Sequence, residues 1–333
     1  MAILPRAFNP LFFQGKGKKQ GYFERWYFKQ SVPRNRGLEQ RSIAIVPGIS
    51  LDPQGKGYAF IQTIDSQKGS SCYVRFPIDT FSFQDKPFRI NIGENTFSLE
   101  GLHLDISDDR IAIVADLEYH HIAPIRPIMG PYNFIPFIGC KHSIISIHHR
   151  VDGHITIIRK NHEGELLSFS DGSGYIEKDW GRSIPSSRIW IQADGFETSL
   201  GPVSFFFSLS HIPWMNLSYN GYISVLSVDN KEYRFASYRR GHIDLLEYKG
   251  NILRILLSDC RYKVEILVRL PQAGKLLAPV QGTLDRRVGE CNNAWVRVVV
   301  KAKHKASDAP VFDGIATGSG VELVGDIESL SPL

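Results

Sequence analysis

Glu177 and Asp179 are separated by the single residue Lys178, so in an extended segment both carboxyls project to the same side. Two carboxyls held that close raise one another's pKa, and the one that keeps its proton can serve as a general acid. The structural use of Asp179 would be an ion pair with Lys178 or Arg182, or bonds from backbone amides at Gly181. Glu24 offers another carboxyl, set among rings in Phe23-Glu24-Arg25-Trp26-Tyr27-Phe28-Lys29. Strand parity puts Glu24 on the side of Trp26 and Phe28, whereas Tyr27 shares a side with Phe23 and Arg25. A salt bridge to a neighbouring arginine is the competing use of Glu24.

Other chemistries lack their residues. His120-His121 and His148-His149 are adjacent pairs, and neighbours on a strand point to opposite faces. His142 and His148 share a face in an unbroken strand but would stand roughly 20 Å apart. No metal site is expected. Cys72, Cys140, Cys260 and Cys291 form no C-x-x-C pair, which argues against a zinc site and a disulfide framework and for a reduced cytoplasmic setting. There is no G-x-x-x-x-G-K-[ST], no dinucleotide fingerprint, no H-E-x-x-H and no G-x-S-x-G. No cofactor is expected.

The elements that would position these side chains are strands. Trp295 to Lys303, Lys263 to Leu270, His154 to Lys160 and Val203 to Leu209 are β-branched and partly alternating. Asp152-Gly153, Asp171-Gly172, Asn220-Gly221, Val228 to Lys231 and Lys249-Gly250-Asn251 read as turns between them, and Gly314 to Gly320 as a late hairpin loop. No stretch reads as an amphipathic helix, so the fold class is all-β, built of antiparallel sandwiches or barrels. The 333 residues are 43% hydrophobic, enough for a core and long enough for two domains. Phe23 to Lys29 and Ser187 to Gln192 echo each other, each followed by another apolar strand (Tyr58 to Ile64, Val203 to Leu209). Two similar barrels, 1–178 and 179–333, fit that echo.

The net charge of +5 falls short of a nucleic-acid footprint. Lys16 to Arg36 and Lys301 to Lys305 carry the basic excess, read as solvated loops and guarded edges, or as weak attraction to an anionic membrane surface. No run of apolar residues is long enough to span a membrane, and the N-terminus has no apolar segment for secretion.

Three blocks carry a family resemblance: Asn9-Pro10 with Phe13-Gln14-Gly15 and Tyr22 to Lys29; Gly130 to Phe137 with Cys140 and His142; and Glu177-Lys178-Asp179-Trp180-Gly181 through Pro185 to Ile189-Trp190-Ile191-Gln192. Together with Leu277-Ala278-Pro279 and Gly320 to Gly325 they resemble the tocopherol cyclase family, whose fold is a tandem of lipocalin-like β-barrels related to carotenoid hydratases. The sequence departs from the family pattern at Arg25, where a glycine is usual, at Gly139 and Lys141, and at Arg188, where an aromatic is usual. A first motif opening at Asn9 resembles the bacterial-type, cytoplasmic members.

The resemblance implies cofactor-independent cyclisation of a prenylated hydroquinone to a chromanol. An acid protonates the alkene, and the phenol oxygen captures the cation. That demands a carboxyl kept protonated by apolar surroundings, aromatic faces near the cation and exclusion of water. Asp179 is the first candidate for the acid and Glu24 the second, with Glu177 raising the pKa of Asp179. Tyr27 would orient a carboxyl or the phenol, His142 would bond a substrate oxygen, and Trp26, Trp180, Trp190 and Gln192 would shape the site. A non-catalytic carrier of an isoprenoid or lipid, and a hydratase, are the rival readings. The partner in each case is an apolar small molecule; oligomeric state is not legible.

Overall fold

The protein is described by a computed structural model, which places residues 9–33, 40–65, 71–135, 138–198, 200–214, 217–229, 231–271, 274–304 and 309–331. Arg36, Pro136, Phe137, Asn230 and Lys305, named above, lie outside the described residues.

Two antiparallel sheets account for the architecture. The first contains β1 (Tyr22–Ser31), β2 (Ser42–Leu51), β3 (Gly57–Asp65), β4 (Ser71–Pro77), β5 (Phe81–Asp85), β6 (Phe88–Ile92), β7 (Asn95–Ser98), β8 (Gly101–Ser107), β9 (Ile111–His120), β10 (Cys140–Arg159) and β11 (Glu165–Gly181). The second contains β12 (Arg188–Asp194), β13 (Val203–Trp214), β14 (Leu217–Val228), β15 (Lys231–Ala236), β16 (His242–Lys249), β17 (Ile252–Ser258), β18 (Tyr262–Arg269), β19 (Gly274–Val280), β20 (Thr283–Ala302) and β21 (Phe312–Val324). The first sheet curls into a nearly closed eleven-stranded barrel and the second into a half-barrel. The all-β reading holds: among the described residues there are only short 3-10 turns besides the strands. No helix among them is long and apolar enough to cross a membrane.

The duplication is visible in the pairing. β1 pairs with the next strand, β2, and with the last strand of its sheet, β11; β12 does the same with β13 and β21. The echo is thus real at β1 and β12, but Val203 to Leu209 is the direct partner of β12, whereas Tyr58 to Ile64 sits in β3, one strand removed from β1. The sheets change between Gly181 and Arg188, a few residues after the 178/179 division read from the sequence.

β1 is buried over its whole length, because one face looks into the first barrel and the other onto the second sheet. Trp26 and Phe28 join the first barrel's core, while Phe23 and Tyr27 join a separate cluster with Trp190 and Phe206 at the seam between the sheets. β11 divides the same way: Ile176 and Trp180 point into the barrel, Tyr175 to the seam. Ile189 and Ile191 of β12 fill the second barrel.

Several expected turns are kinks instead. Asp152-Gly153 and Asp171-Gly172 lie within the long strands β10 and β11, where the register shifts between Val151 and Gly153 and Asp171 takes φ 64°. Asn220-Gly221 lies inside β14, and Gly314 to Gly320 is part of β21 rather than a loop. At Gly320 the lack of a side chain is what lets Trp190 pack: a Cβ there would stand 2.8 Å from its ring.

Candidate functional site

Parity along β1 and β11 separates the candidate residues into two groups. Glu24, Trp26 and Trp180 point into the first barrel. There Glu24 binds Lys178 at 2.6 Å, both fully buried, and accepts from the Tyr22 hydroxyl at 2.6 Å and the Gln14 amide at 3.0 Å. The Lys178 ammonium lies 5.3 Å from the Trp26 ring and 5.0 Å from the Trp180 ring. The aromatic faces assigned by the sequence to a carbocation are here occupied by a lysine, and Glu24 holds that lysine rather than an arginine.

The other group meets at the seam. Register pairs Asp179 with both Arg25 on β1 and His142 on β10. Arg25 donates to Asp179 Oδ2 from Nη2 at 2.9 Å and from Nε at 3.2 Å; His142 Nδ1 lies 2.6 Å from Asp179 Oδ1. Arg188 Nη1 is 3.9 Å from Asp179 Oδ2. The expected pairing with Lys178 or Arg182 is replaced by these partners, since Lys178 faces the opposite side of the strand. Glu177 sits behind the pair, accepting from the Tyr175 hydroxyl at 2.6 Å and Trp190 Nε1 at 3.0 Å, with His142 Nε2 at 3.3 Å.

These contacts set the protonation states. Burial alone would raise the Asp179 pKa, but His142, Arg25 and Arg188 outweigh it and hold the carboxyl well below the usual carboxylate range. The expectation that Asp179 is a protonated acid is therefore corrected: its neighbours are cations, which favour the ionised form. Burial pushes His142 down, and Glu177 and Asp179 overcome this to raise it to about 9, so the imidazole is protonated at neutral pH. Its ring stacks on Phe206, centroids 5.1 Å apart at 12°, a contact suited to a cation.

A cavity of about 290 Å³ opens at this seam. Its walls come from both sheets and from the 181–188 crossing. Met129, Tyr132, Ile138, Ile184, Ile212 and Ile223 make it largely apolar, and His142, Asp179 and Arg188 give one part of the wall its charge. Each barrel packs its own apolar side chains inside it, and the cavity lies between the two sheets.

Of the residues singled out from the sequence, His142 and Asp179 line this cavity and Glu177 supports them. Trp190 braces Glu177. Tyr27 donates to Glu290 at 2.7 Å, and Gln192 accepts from Lys29 at 2.7 Å; neither reaches the cavity wall. Sequence reasoning missed Glu290 and Glu322, partners across β20 and β21, both buried. Burial, then Glu322, raises Glu290 to about 8. It also missed that His142, Glu177 and Asp179 bring potential metal-ligand atoms within 4.8 Å of one another. These donors could hold a divalent ion by type, but the Arg25 guanidinium already occupies Asp179 Oδ2 and two donors occupy Glu177 Oε2. Arg25 and Arg188 were visible as departures from a family pattern, the signal that charge had been placed inside strands.

An AttH-like protein from Nitrosomonas europaea shares this architecture with a TM-score of 0.50 at 12% identity, over 91% of this chain and 92% of that one. CghA, solved with Sch210972, matches with a TM-score of 0.60 at 11% identity, over 97% of this chain and 94% of that one. CghA solved alone gives the same score and identity over 98% of this chain. The likeness is one of fold. It places the chain among tandem lipocalin-like barrels. No protein-family model and no curated protein matches the sequence.

Proposed function

We propose that the protein binds an apolar, isoprenoid-type molecule in the cavity between its barrels and closes a ring on it without a cofactor. The reaction is of the tocopherol cyclase type, in which a hydroxyl oxygen adds across a carbon–carbon double bond. The observation that carries this reading is the His142–Asp179 pair, a protonated imidazole and an ionised carboxylate 2.6 Å apart in the wall of a mainly apolar cavity.

Such a pair supplies both proton transfers. The Asp179 carboxylate accepts the hydroxyl proton as the C–O bond forms, and the His142 imidazolium gives a proton to the carbon at the other end of the double bond. Loss of the proton from Asp179 and uptake of one by the imidazole restore the site, so no proton is gained or lost overall. The product is an isomer of the substrate. Apolar walls keep out water, which would otherwise add in place of the hydroxyl. The proton donor in this scheme is His142, not Asp179. A binder without chemistry is the second reading, favoured by Arg25, whose bonds to Asp179 Oδ2 fit a purely structural carboxylate.

Incubation with a prenylated hydroquinone, followed by chromatography and mass spectrometry, tests the scheme. An isomer of unchanged mass is expected, and His142→Gln or Asp179→Asn, with folding intact by circular dichroism, should slow its formation by about 100-fold or more. Full turnover by either variant removes the pair from the mechanism. A product heavier by one water identifies a hydratase, and ligand retained unchanged identifies a carrier.

A further inference from the structure

Arg188 is 4% exposed, yet it lines the cavity and is poorly satisfied. Its Nε has no hydrogen-bond partner, and its Nη1 stands 3.9 Å from Asp179 and 3.7 Å from Glu322, beyond hydrogen-bond reach. A buried guanidinium with unmet N–H donors is costly unless an acceptor fills the gap. Ser210, its partner across β12 and β13, and Ser208 line the same wall, so this part of the cavity is polar.

Charge decides what kind of acceptor fits. The buried Arg25 and Arg188 and the partly buried His142 are three cations facing three carboxylates, Asp179, Glu177 and Glu322. Glu290 opposite Glu322 is mainly protonated at neutral pH, its pKa being pushed up to about 8 by burial and then by Glu322. The wall is therefore balanced. A carboxylate ligand would leave a buried negative charge unmatched, whereas a neutral carbonyl would take up the idle donors and preserve the balance.

We propose that Arg188 binds a carbonyl oxygen of the substrate, and that the double bond on which the ring closes is conjugated to that carbonyl. The first half stands on the cavity wall alone; the second rests on the ring-closure reading and deepens it. The chemistry of His142 favours the second half. An imidazolium protonates the carbon of an enolate far more readily than that of an isolated alkene, so a conjugated double bond suits His142 better than an unconjugated one. In the conjugate addition, the hydroxyl oxygen bonds to the β-carbon and its proton passes to Asp179. The π electrons move onto the carbonyl oxygen, where Arg188 holds the enolate. His142 then protonates the α-carbon, the carbonyl re-forms, and loss of the proton from Asp179 and uptake of one by the imidazole restore the site. Nothing is oxidised or reduced.

The test uses pseudoionone, an isoprenoid enone, beside its reduced alcohol and an isoprenoid carboxylic acid of the same chain length. Binding is followed by tryptophan fluorescence and the bound carbonyl by infrared difference spectroscopy. The native protein should bind the enone about tenfold more tightly than the alcohol or the acid, the worth of a hydrogen bond from a charged donor. The carbonyl stretch should move to lower frequency on binding. Arg188→Met should erase both the preference for the enone and the shift of its carbonyl stretch, and Arg188→Lys, which keeps the charge without the fork, should retain part of the preference. Equal affinity of the native protein for all three ligands, or an unshifted stretch, overturns the proposal. If the enone binds with these signatures but a hydroxyl-bearing enone is not cyclised, the ring-closure reading fails and the Arg188 site stands.

Discussion

The protonation of His142 can be measured without any substrate. Two carboxylates raise this partly buried imidazole from its ordinary 6.5 to about 9, and a displacement of that size is worth about 3 kcal/mol of folding stability. Because the folded-state value lies above the unfolded one, the stabilisation is complete below pH 6.5 and is lost as pH rises to about 9. Urea unfolding of the native protein and of His142→Gln, at half-unit steps from pH 6 to 10, isolates the effect. The variant leaves Asp179 without its imidazole partner and is destabilised at neutral pH, but it lacks the pH-dependent loss. The difference in unfolding free energy between the two proteins should shrink by about 3 kcal/mol across the window. Glu290, whose raised pKa also erodes stability as pH climbs towards 8, is present in both proteins and cancels in that difference. Imidazole NMR, with the His142 signal assigned by its loss in the variant, should show a titration near 9. A difference that stays constant with pH, or a His142 titration at or below 6.5, would refute the assignment of a cationic imidazole at the cavity.

The other predictions address the division of the site and the space it depends on. Glu24→Gln leaves Lys178 buried without its carboxylate partner and should cost about 3–5 kcal/mol in denaturant midpoint measurements, while ligand affinity of the folded fraction stays unchanged. Lost affinity in the folded protein would show that Glu24 and the cavity act together. Gly320→Ala places a methyl 2.8 Å from the Trp190 ring and should destabilise by about 1–3 kcal/mol, with an altered tryptophan emission as Trp190 leaves Glu177. Unchanged stability and emission would mean that the ring is not held there.

The motif residues singled out from the sequence divide between two environments. Glu24 and Tyr27 sit three residues apart in one motif and end on opposite faces of β1, one beside Lys178 and the other beside Glu290. Ordinarily a strand's alternation tells which face is buried. Here both faces are, one by its own barrel and the other by the neighbouring sheet, so period-two patterning cannot say which leads to the cavity. Likewise Gly320 reads as a loop residue only because its packing partner, Trp190, is 130 positions away in sequence.

What the sequence determined by itself was local: strands rather than helices, a repeated architecture, and the shared direction of Glu177 and Asp179 across one residue. Those follow from backbone geometry and short-range spacing. Tertiary structure decided which charge each group carries. Asp179 meets Arg25 and His142 through the registers of β1 and β10 on β11, and Glu290 meets Glu322 across β20 and β21. Protonation in a dry interior depends on burial and on the charges nearby, and those neighbours come together only when distant strands pair.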